Sequence, residues 1–328
     1  MAYFYNVNKE LEEKVSAFFD GLNKFNDDNY QGKLSVMLLG SLSRGEGSWI
    51  IQDGKTVLIS DIETFVFYPQ GLSDLSKFEN YCQEYAKEVF ADNISTFFHV
   101  DNSYILLDNL PRLEKKLLTF DAIKMGKTVV GKDVKELMPK ITLDNINLYD
   151  IRDILTHRVF SVMYYGFPQK KAGNIEQYKY SLAKNSLDLM TVLLVEHGIL
   201  ESGFAKRCAL VETLPIDNKI KNYFNYCLSV KIGGDCKYNF TVEEMENIFI
   251  TLVESLLKSF KLKFSNFKAN AKNITRRRLG IIKRAIKYKK FCMPIRHLKS
   301  LISSFKLGKD LTKKQLKNNL VLNGYPLV

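Results

Sequence analysis

Read by the spacing of its apolar side chains, the chain changes character once, near residue 145. Before that point short apolar runs alternate with helical stripes. Leu11, Val15, Phe18, Phe19 and Leu22 recur at helical spacing and predict an opening helix over residues 8–26. Lys33 to Leu39 reads as a first strand, and Ser41 to Glu46 as the start of a short helix. The apolar residues Trp49-Ile50-Ile51 and Val57-Leu58 flank Asp53-Gly54, which is a strong hairpin signal. Val57, Leu58 and Ile59, then Phe65, Val66 and Phe67, predict a central strand. After the turn at Pro69-Gln70-Gly71, a helix follows with Leu75, Phe78, Tyr81, Cys82, Tyr85 and Val89 on its inner face. Ile94 to Ile105 reads as another strand, with Phe97, His99, Asp101 and Ser103 on one face. Gly126 to Lys132 reads as a short edge strand.

From Asn145 onward the period is helical. Ile151, Ile154, Leu155, Val159 and Val162 predict a helix that stops at Gly166-Phe167-Pro168. A basic loop, Gln169 to Gly173, leads to a long helix from Glu176 to His197, whose core stripe is Leu182, Ala183, Leu187, Met190, Leu193 and Leu194. Further helices follow, with a break at Gly233-Gly234 and a start at Thr241. The expected fold class is α+β: a small mixed sheet with flanking helices, then an α-helical domain and a basic helical C-terminal segment. The expected divisions are 1–144, 145–255 and 256–328.

The candidate chemistry lies between residues 38 and 67. Strand side chains alternate faces, so Asp61 and Glu63 project from one side, about 7 Å apart at the backbone. Burial makes such like charges costly, and a cation that prefers carboxylates plus phosphate oxygens, Mg²⁺, would compensate them. Gly40 and Ser41 supply the other half. A residue without a side chain lets phosphate oxygens approach the backbone, and Ser41 offers N–H and hydroxyl donors. Arg44 has two readings, a phosphate partner or an ion pair with Glu46 or a core carboxylate.

Leu38-Leu39-Gly40-Ser41, then Arg44-Gly45-Glu46, then Asp61-Ile62-Glu63 on an apolar strand resembles the signature of the DNA polymerase beta-like nucleotidyltransferase superfamily. The likeness covers roughly residues 30 to 140, and the spacer between Ser41 and Asp61 is longer than usual by the expected hairpin. What it implies is a nucleotidyltransferase fold using two Mg²⁺ or Mn²⁺ ions and a nucleoside triphosphate such as ATP. Gly40 and Ser41 would hold the triphosphate, and Asp61 and Glu63 the metals. A third carboxylate would stand on a later strand. Asp101 is the candidate by position, with Asp108 and Asp121 as competitors, and His99 is either its helper or a structural histidine. The resemblance also implies a lysine from the helical domain on the triphosphate. Lys184 is the candidate, against an i,i+4 pair with Asp188, and Tyr180 is its companion for stacking on the base.

Composition bounds the rest. The chain has 328 residues, 46% hydrophobic and 26% charged, which suits a folded protein of two domains. No uninterrupted apolar run approaches eighteen residues, so a transmembrane helix is not expected. The first residues lack a basic region before an apolar core, so no signal peptide is expected. Five scattered cysteines without a Cys-x-x-Cys pair read as reduced thiols, and the expected location is the cytoplasm.

The net charge of +12 is local. Ser255 to Lys309 contains seventeen Lys and Arg and no Asp or Glu, and the remainder carries 31 basic against 36 acidic residues. Global nucleic-acid binding is thereby disfavoured. Within this segment Ile281, Ile282, Ala285 and Ile286 line one side of a helix, with Arg277, Arg278, Lys283, Arg284 and Lys287 around the rest. Residues 270–300 could therefore meet an anionic membrane at its inner face, track RNA, or pack on the body. The expected activity is transfer of a nucleoside monophosphate to an acceptor hydroxyl, on a small molecule or sugar, with pyrophosphate released. RNA- or protein-directed transfer, and a degenerate nucleotide-binding regulator, are the alternatives.

Overall fold

The computed structural model describes residues 2–264, save residues 53, 73, 96, 97, 147 and 163–165. The basic stretch 270–300 lies outside the described residues. The chain divides into two units. The first comprises residues 1–147 with two returning segments, 201–207 and 231–235. The second comprises the remaining helices.

The first unit opens with α1 (Lys9–Tyr30), four residues longer at its end than the apolar stripe alone foretells. Asn8 caps it by accepting from the Leu11 N–H at 3.0 Å, and Glu10 and Glu12 complement the positive end of the helix. Leu11, Val15, Phe18, Phe19 and Leu22 are all buried, as their spacing requires. Asn26, at the end of the expected span, meets the residue before β1 (Ser35–Leu38). Its amide donates to the Leu34 carbonyl and accepts from the Leu34 N–H, both at 3.0 Å.

A four-stranded sheet follows, in the order β5-β4-β1-β6. β4 (Ile62–Tyr68) and β6 (Lys127–Val130) flank β1 antiparallel, and β5 (Val100–Leu106) runs parallel to β4. The parallel pair is joined through α3 (Leu75–Phe90), as a parallel connection demands. The β2–β3 hairpin (Trp49–Gln52 and Lys55–Leu58) is antiparallel and forms its own two-stranded sheet. The short helix α2 (Gly40–Ser43) stands directly after β1.

Alternation along the strands creates two cores. Val36, Leu38, Ile62, Val66, Val100 and Val130 pack with α1 and α3. Between those helices Phe25 stacks on Tyr81 with ring centroids 3.9 Å apart, and Tyr81 stacks in turn on Tyr85. Met37, Leu39, Phe65 and Phe67 pack on the other side with Leu110, Ala122 and Met138, Ala122 coming from α4 (Leu117–Met125).

Two strand expectations need correction. Val57-Leu58 and Phe65-Val66-Phe67 do not share one central strand: the first belong to β3 of the hairpin and the second to β4, with residues 59–61 between them. The run from Ile94 was read as strand throughout, yet β5 starts only at Val100. Ile94 makes an isolated bridge to Leu58 instead. An apolar, β-branched run carries no information on which partner edge is vacant, and here the hairpin claims Ile94.

The second unit is helical: α5 (Leu148–Ser161), α6 (Phe167–Lys171), α7 (Ile175–Glu196), α8 (Phe204–Val211, ending in this unit), α9 (Asn218–Ile232, chiefly in this unit) and α10 (Val242–Phe264). Phe167-Pro168 is not a stop followed by a basic loop. It opens α6, in whose first turn the missing proline N–H has no partner to lose. α7 buries its expected stripe and also Asn185, Ser186, Leu189, Thr191 and Val192, so it is enclosed around most of its circumference. Ser186 meets Tyr223 at 2.7 Å, and Tyr178 donates to Glu246 at 2.8 Å. α10 is opened by a capping box in which Thr241 Oγ1 accepts from the Glu244 N–H at 3.2 Å, and Glu244 accepts from the Thr241 N–H at 2.9 Å. It continues past residue 255, where the basic segment was expected to begin. Among the described residues no helix is long and apolar enough to cross a membrane.

Candidate active site

The site is built at one end of the central pair β1 and β4. Leu39 donates its N–H to the Glu63 carbonyl at 2.7 Å, which fixes the exit of β1 beside the entry of β4. The chain then turns at Gly40, whose φ of +66° is left-handed. A Cβ there would collide with Glu63 Oε2 and stand 3.1 Å from its Cδ. The carboxylate of Glu63 therefore lies over the bare backbone of the Gly-Ser turn, and only glycine leaves it room.

The other two carboxylates share its face. Glu63 pairs in register with Asp101 across the parallel β4–β5 ladder, so their side chains emerge side by side. Asp61 precedes Glu63 by two residues. It meets His99, with Asp61 Oδ1 3.0 Å from His99 Nδ1; the Asp61 side chain is 12% exposed and that of His99 57%. The Ile62 N–H donates to the His99 carbonyl, which places these two residues at the same level of the sheet. Asp108 lies beyond the far end of β5, in a 3₁₀ turn (Leu107–Arg112), about 20 Å along the strand from Asp101.

Ser41 follows Gly40 in the turn. Its Oγ lies 3.1 Å from Ser60 Oγ, which also accepts from the Ser48 N–H at 2.8 Å. Ser60 and Ser48 are both buried. Ser48 is in turn held by Lys231, from a returning segment of this unit: the Lys231 ammonium donates to Ser48 Oγ, and Ser48 Oγ donates to the Lys231 carbonyl at 2.5 Å.

Arg44 is engaged within the protein. Its Nε bonds Glu46 Oε2 at 2.8 Å, its terminal nitrogen lies 3.8 Å from Asp121 Oδ2, and Phe204 sits 5.0 Å beneath the guanidinium. Burial alone would push this guanidinium down, but Glu46, Asp121 and Glu63 outweigh it and hold it above its ordinary value. Asp121 is further bonded by Arg207 at 2.7 Å and Ser202 at 2.9 Å, and the Ala205 N–H donates to Glu46 at 3.0 Å. Of the two sequence readings of Arg44, the ion pair is the one these contacts embody, and Asp121 is occupied in the same network.

Lys184 and Tyr180 lie on α7, in the second unit. Asp188, the alternative partner of Lys184, pairs with Arg158 at 2.8 Å. Sequence reasoning missed Ser60, Ser48 and Lys231. Ser60, directly before Asp61, had a visible position, whereas Lys231 had no local signal at all.

Three carboxylates on one face are hard oxygen donors, the set a Mg²⁺ or Mn²⁺ ion prefers beside phosphate. In that sense the residues fit the implied metal. They are not drawn in on one point: among the described residues no three His, Cys, Asp or Glu side chains form a ready metal cluster. Asp61 is turned to His99 and Glu63 to Gly40, as mutual repulsion favours.

No family model matches this chain, and no curated protein matches it by sequence. Among solved structures, it is similar to the spectinomycin adenyltransferase AAD(9) from Enterococcus faecialis with ATP and spectinomycin. The TM-score is 0.46 and the identity 12%, over 73% of this chain and 98% of that one.

Proposed function

We propose that this protein is a metal-dependent nucleotidyltransferase that moves a nucleoside monophosphate from a nucleoside triphosphate to the hydroxyl of a small molecule or sugar. The observation that carries the reading is the seat of Glu63 over Gly40, with Asp61 and Asp101 on the same face. Like-charged carboxylates on one face favour a divalent cation among them, and the side-chain-free turn beside them leaves room for the phosphate such a cation would carry.

In this reading the Gly40 backbone admits the triphosphate, and the Ser41 N–H and hydroxyl donate to its oxygens. Asp61, Glu63 and Asp101 would hold two divalent ions. Bound there, the ions supply charge neutralisation and lower the pKa of the acceptor hydroxyl. The acceptor oxygen bonds to the α-phosphorus as the bond to the bridging oxygen breaks, and pyrophosphate leaves. The acceptor proton passes to a basic group on the same face, where Asp101 and His99 stand. The protein contributes position and preorganised charge rather than covalent chemistry.

The test is incubation of the full chain with each α-labelled nucleoside triphosphate, Mg²⁺ or Mn²⁺, and a panel of hydroxyl acceptors. Label on an acceptor with matching pyrophosphate, lost in Asp61→Asn and Glu63→Gln, is the expected result. Tight nucleotide binding without turnover across the panel would favour a nucleotide-binding regulator. No binding of any nucleotide would overturn both.

A further inference from the structure

Lysine is among the residues least often found fully buried, yet Lys231 is 3% exposed. Its ammonium donates to Ser48 Oγ and, at 3.4 Å, to the Glu46 carbonyl. Ser48 Oγ returns a bond to the Lys231 carbonyl, so the pair is closed on itself in both directions. This fixes the backbone of Ser48, whose N–H points to Ser60 Oγ at 2.8 Å, and Ser60 lies 3.1 Å from Ser41 Oγ.

A serine hydroxyl donates once and accepts twice, and its rotor turns freely. Ser60 Oγ accepts from the Ser48 N–H and, with its second lone pair, from the Ser41 hydroxyl. The Ser41 hydroxyl is thereby held in place beside the Gly-Ser turn, where an anion would meet it. Both bonds converge on Ser60, and the buried positive charge behind Ser48 adds to the field at the turn. A methionine would fill the place of Lys231 without a charge to desolvate, so packing does not account for the lysine.

We propose that Lys231 is a positioning residue for the Gly-Ser turn, acting through Ser48 and Ser60 to hold the Ser41 side chain in place for a bound triphosphate. The inference rests on the nucleotidyltransferase reading and adds to it a residue that touches neither nucleotide nor acceptor.

Calorimetric titration of the full chain with Mg²⁺-ATP and with Mg²⁺-tripolyphosphate, which carries the anion without the base, tests it. Lys231→Met, Ser60→Ala and Ser41→Ala should each weaken both ligands about tenfold. Lys231→Met combined with Ser60→Ala should weaken them little further, because the two act in one chain. In turnover, Lys231→Met should raise KM for the nucleotide while kcat at saturation stays within about threefold. Should Lys231→Met fail to fold by circular dichroism, Ser60→Ala decides alone. Wild-type affinity in folded Lys231→Met or in Ser60→Ala, with Ser41→Ala weakened, overturns the proposal and leaves the enzyme reading standing. Absence of binding by the wild-type chain overturns both.

Discussion

Glu63 and Asp101 face each other across the parallel β4–β5 pair, two carboxylates side by side on a half-buried surface. Neutralising either should relieve repulsion. Glu63→Gln and Asp101→Asn are expected to raise metal-free stability by about 0.5 kcal/mol, or leave it unchanged, while lowering pyrophosphate release at least about 100-fold. Thermal melts in chelator beside a pyrophosphate assay check this. A destabilised apoprotein that keeps its activity would contradict the site.

Gly40 and Gly71 form a controlled pair. Both have left-handed φ, but a Cβ on Gly71 meets nothing within 4 Å, whereas on Gly40 it meets Glu63. Alanine at either should cost about 1–2 kcal/mol of backbone strain. Only Gly40→Ala must also swing the Glu63 carboxylate away, so only it should abolish turnover. Equal activity in the two variants would show that the seat of Glu63 is immaterial.

The Arg44–Glu46 pair is buried on both sides, with side-chain exposures of 8% and 6%. Removing one partner leaves the other buried without its 2.8 Å ion pair, a loss that the 3.8 Å approach of Arg44 to Asp121 and the Ala205 N–H on Glu46 do not replace. Arg44→Ala or Glu46→Ala should cost about 3–5 kcal/mol, and the double variant clearly less than the sum. Denaturant titration measures it, and an additive pair of small losses would refute the assignment.

Glu244 lies in the capping box of α10, where the Thr241 N–H and hydroxyl hold its carboxylate below its ordinary value of 4.5. A depressed carboxylate contributes stability that is present above the unfolded-state pKa and lost as pH falls through the folded one. The advantage of wild type over Glu244→Gln in thermal melts should therefore persist at pH 7 and fade below about pH 4.5. An advantage that grows on acidification would reverse the sign and discard the cap.

Burial pushes the thiols of Cys82 and Cys227 well up, while Cys236 is half-buried. Iodoacetamide at pH 8, followed by peptide mass spectrometry, should label Cys236 and spare Cys82 and Cys227 until denaturant is added. Early labelling of Cys82 would mean that α3 opens readily from the sheet.

Much of this was legible in the chain because it was written locally. The stripe Leu11 to Leu22, the Asp53-Gly54 hairpin and the alternation around Asp61 and Glu63 each depend on spacing within one element. Asp101 came from strand order and alternation together. What escaped depends on partners far away in sequence. Lys231 reads as one more helical lysine beside Val230 and Ile232, and its bond to Ser48 spans 183 residues. Arg44 carried two meanings until Glu46, Asp121 and Phe204 surrounded it. The enclosure of Asn185, Ser186 and Thr191 on α7 was equally hidden, since a polar side chain does not announce burial.

On the opposite face of the same strand pair, Thr64 Oγ1 bonds Asn102 at 2.6 Å, and Asn102 and Tyr104 both donate to Glu79 of α3. Were β5 to slide by one residue, Asn102 would replace Asp101 beside Glu63, and an acid would be driven in among the helices. This polar clasp thus acts as a ratchet stop for the acidic face. Substitutions at Asn102 or Glu79, though on the reverse side of the sheet, would behave like damage to the acidic face itself.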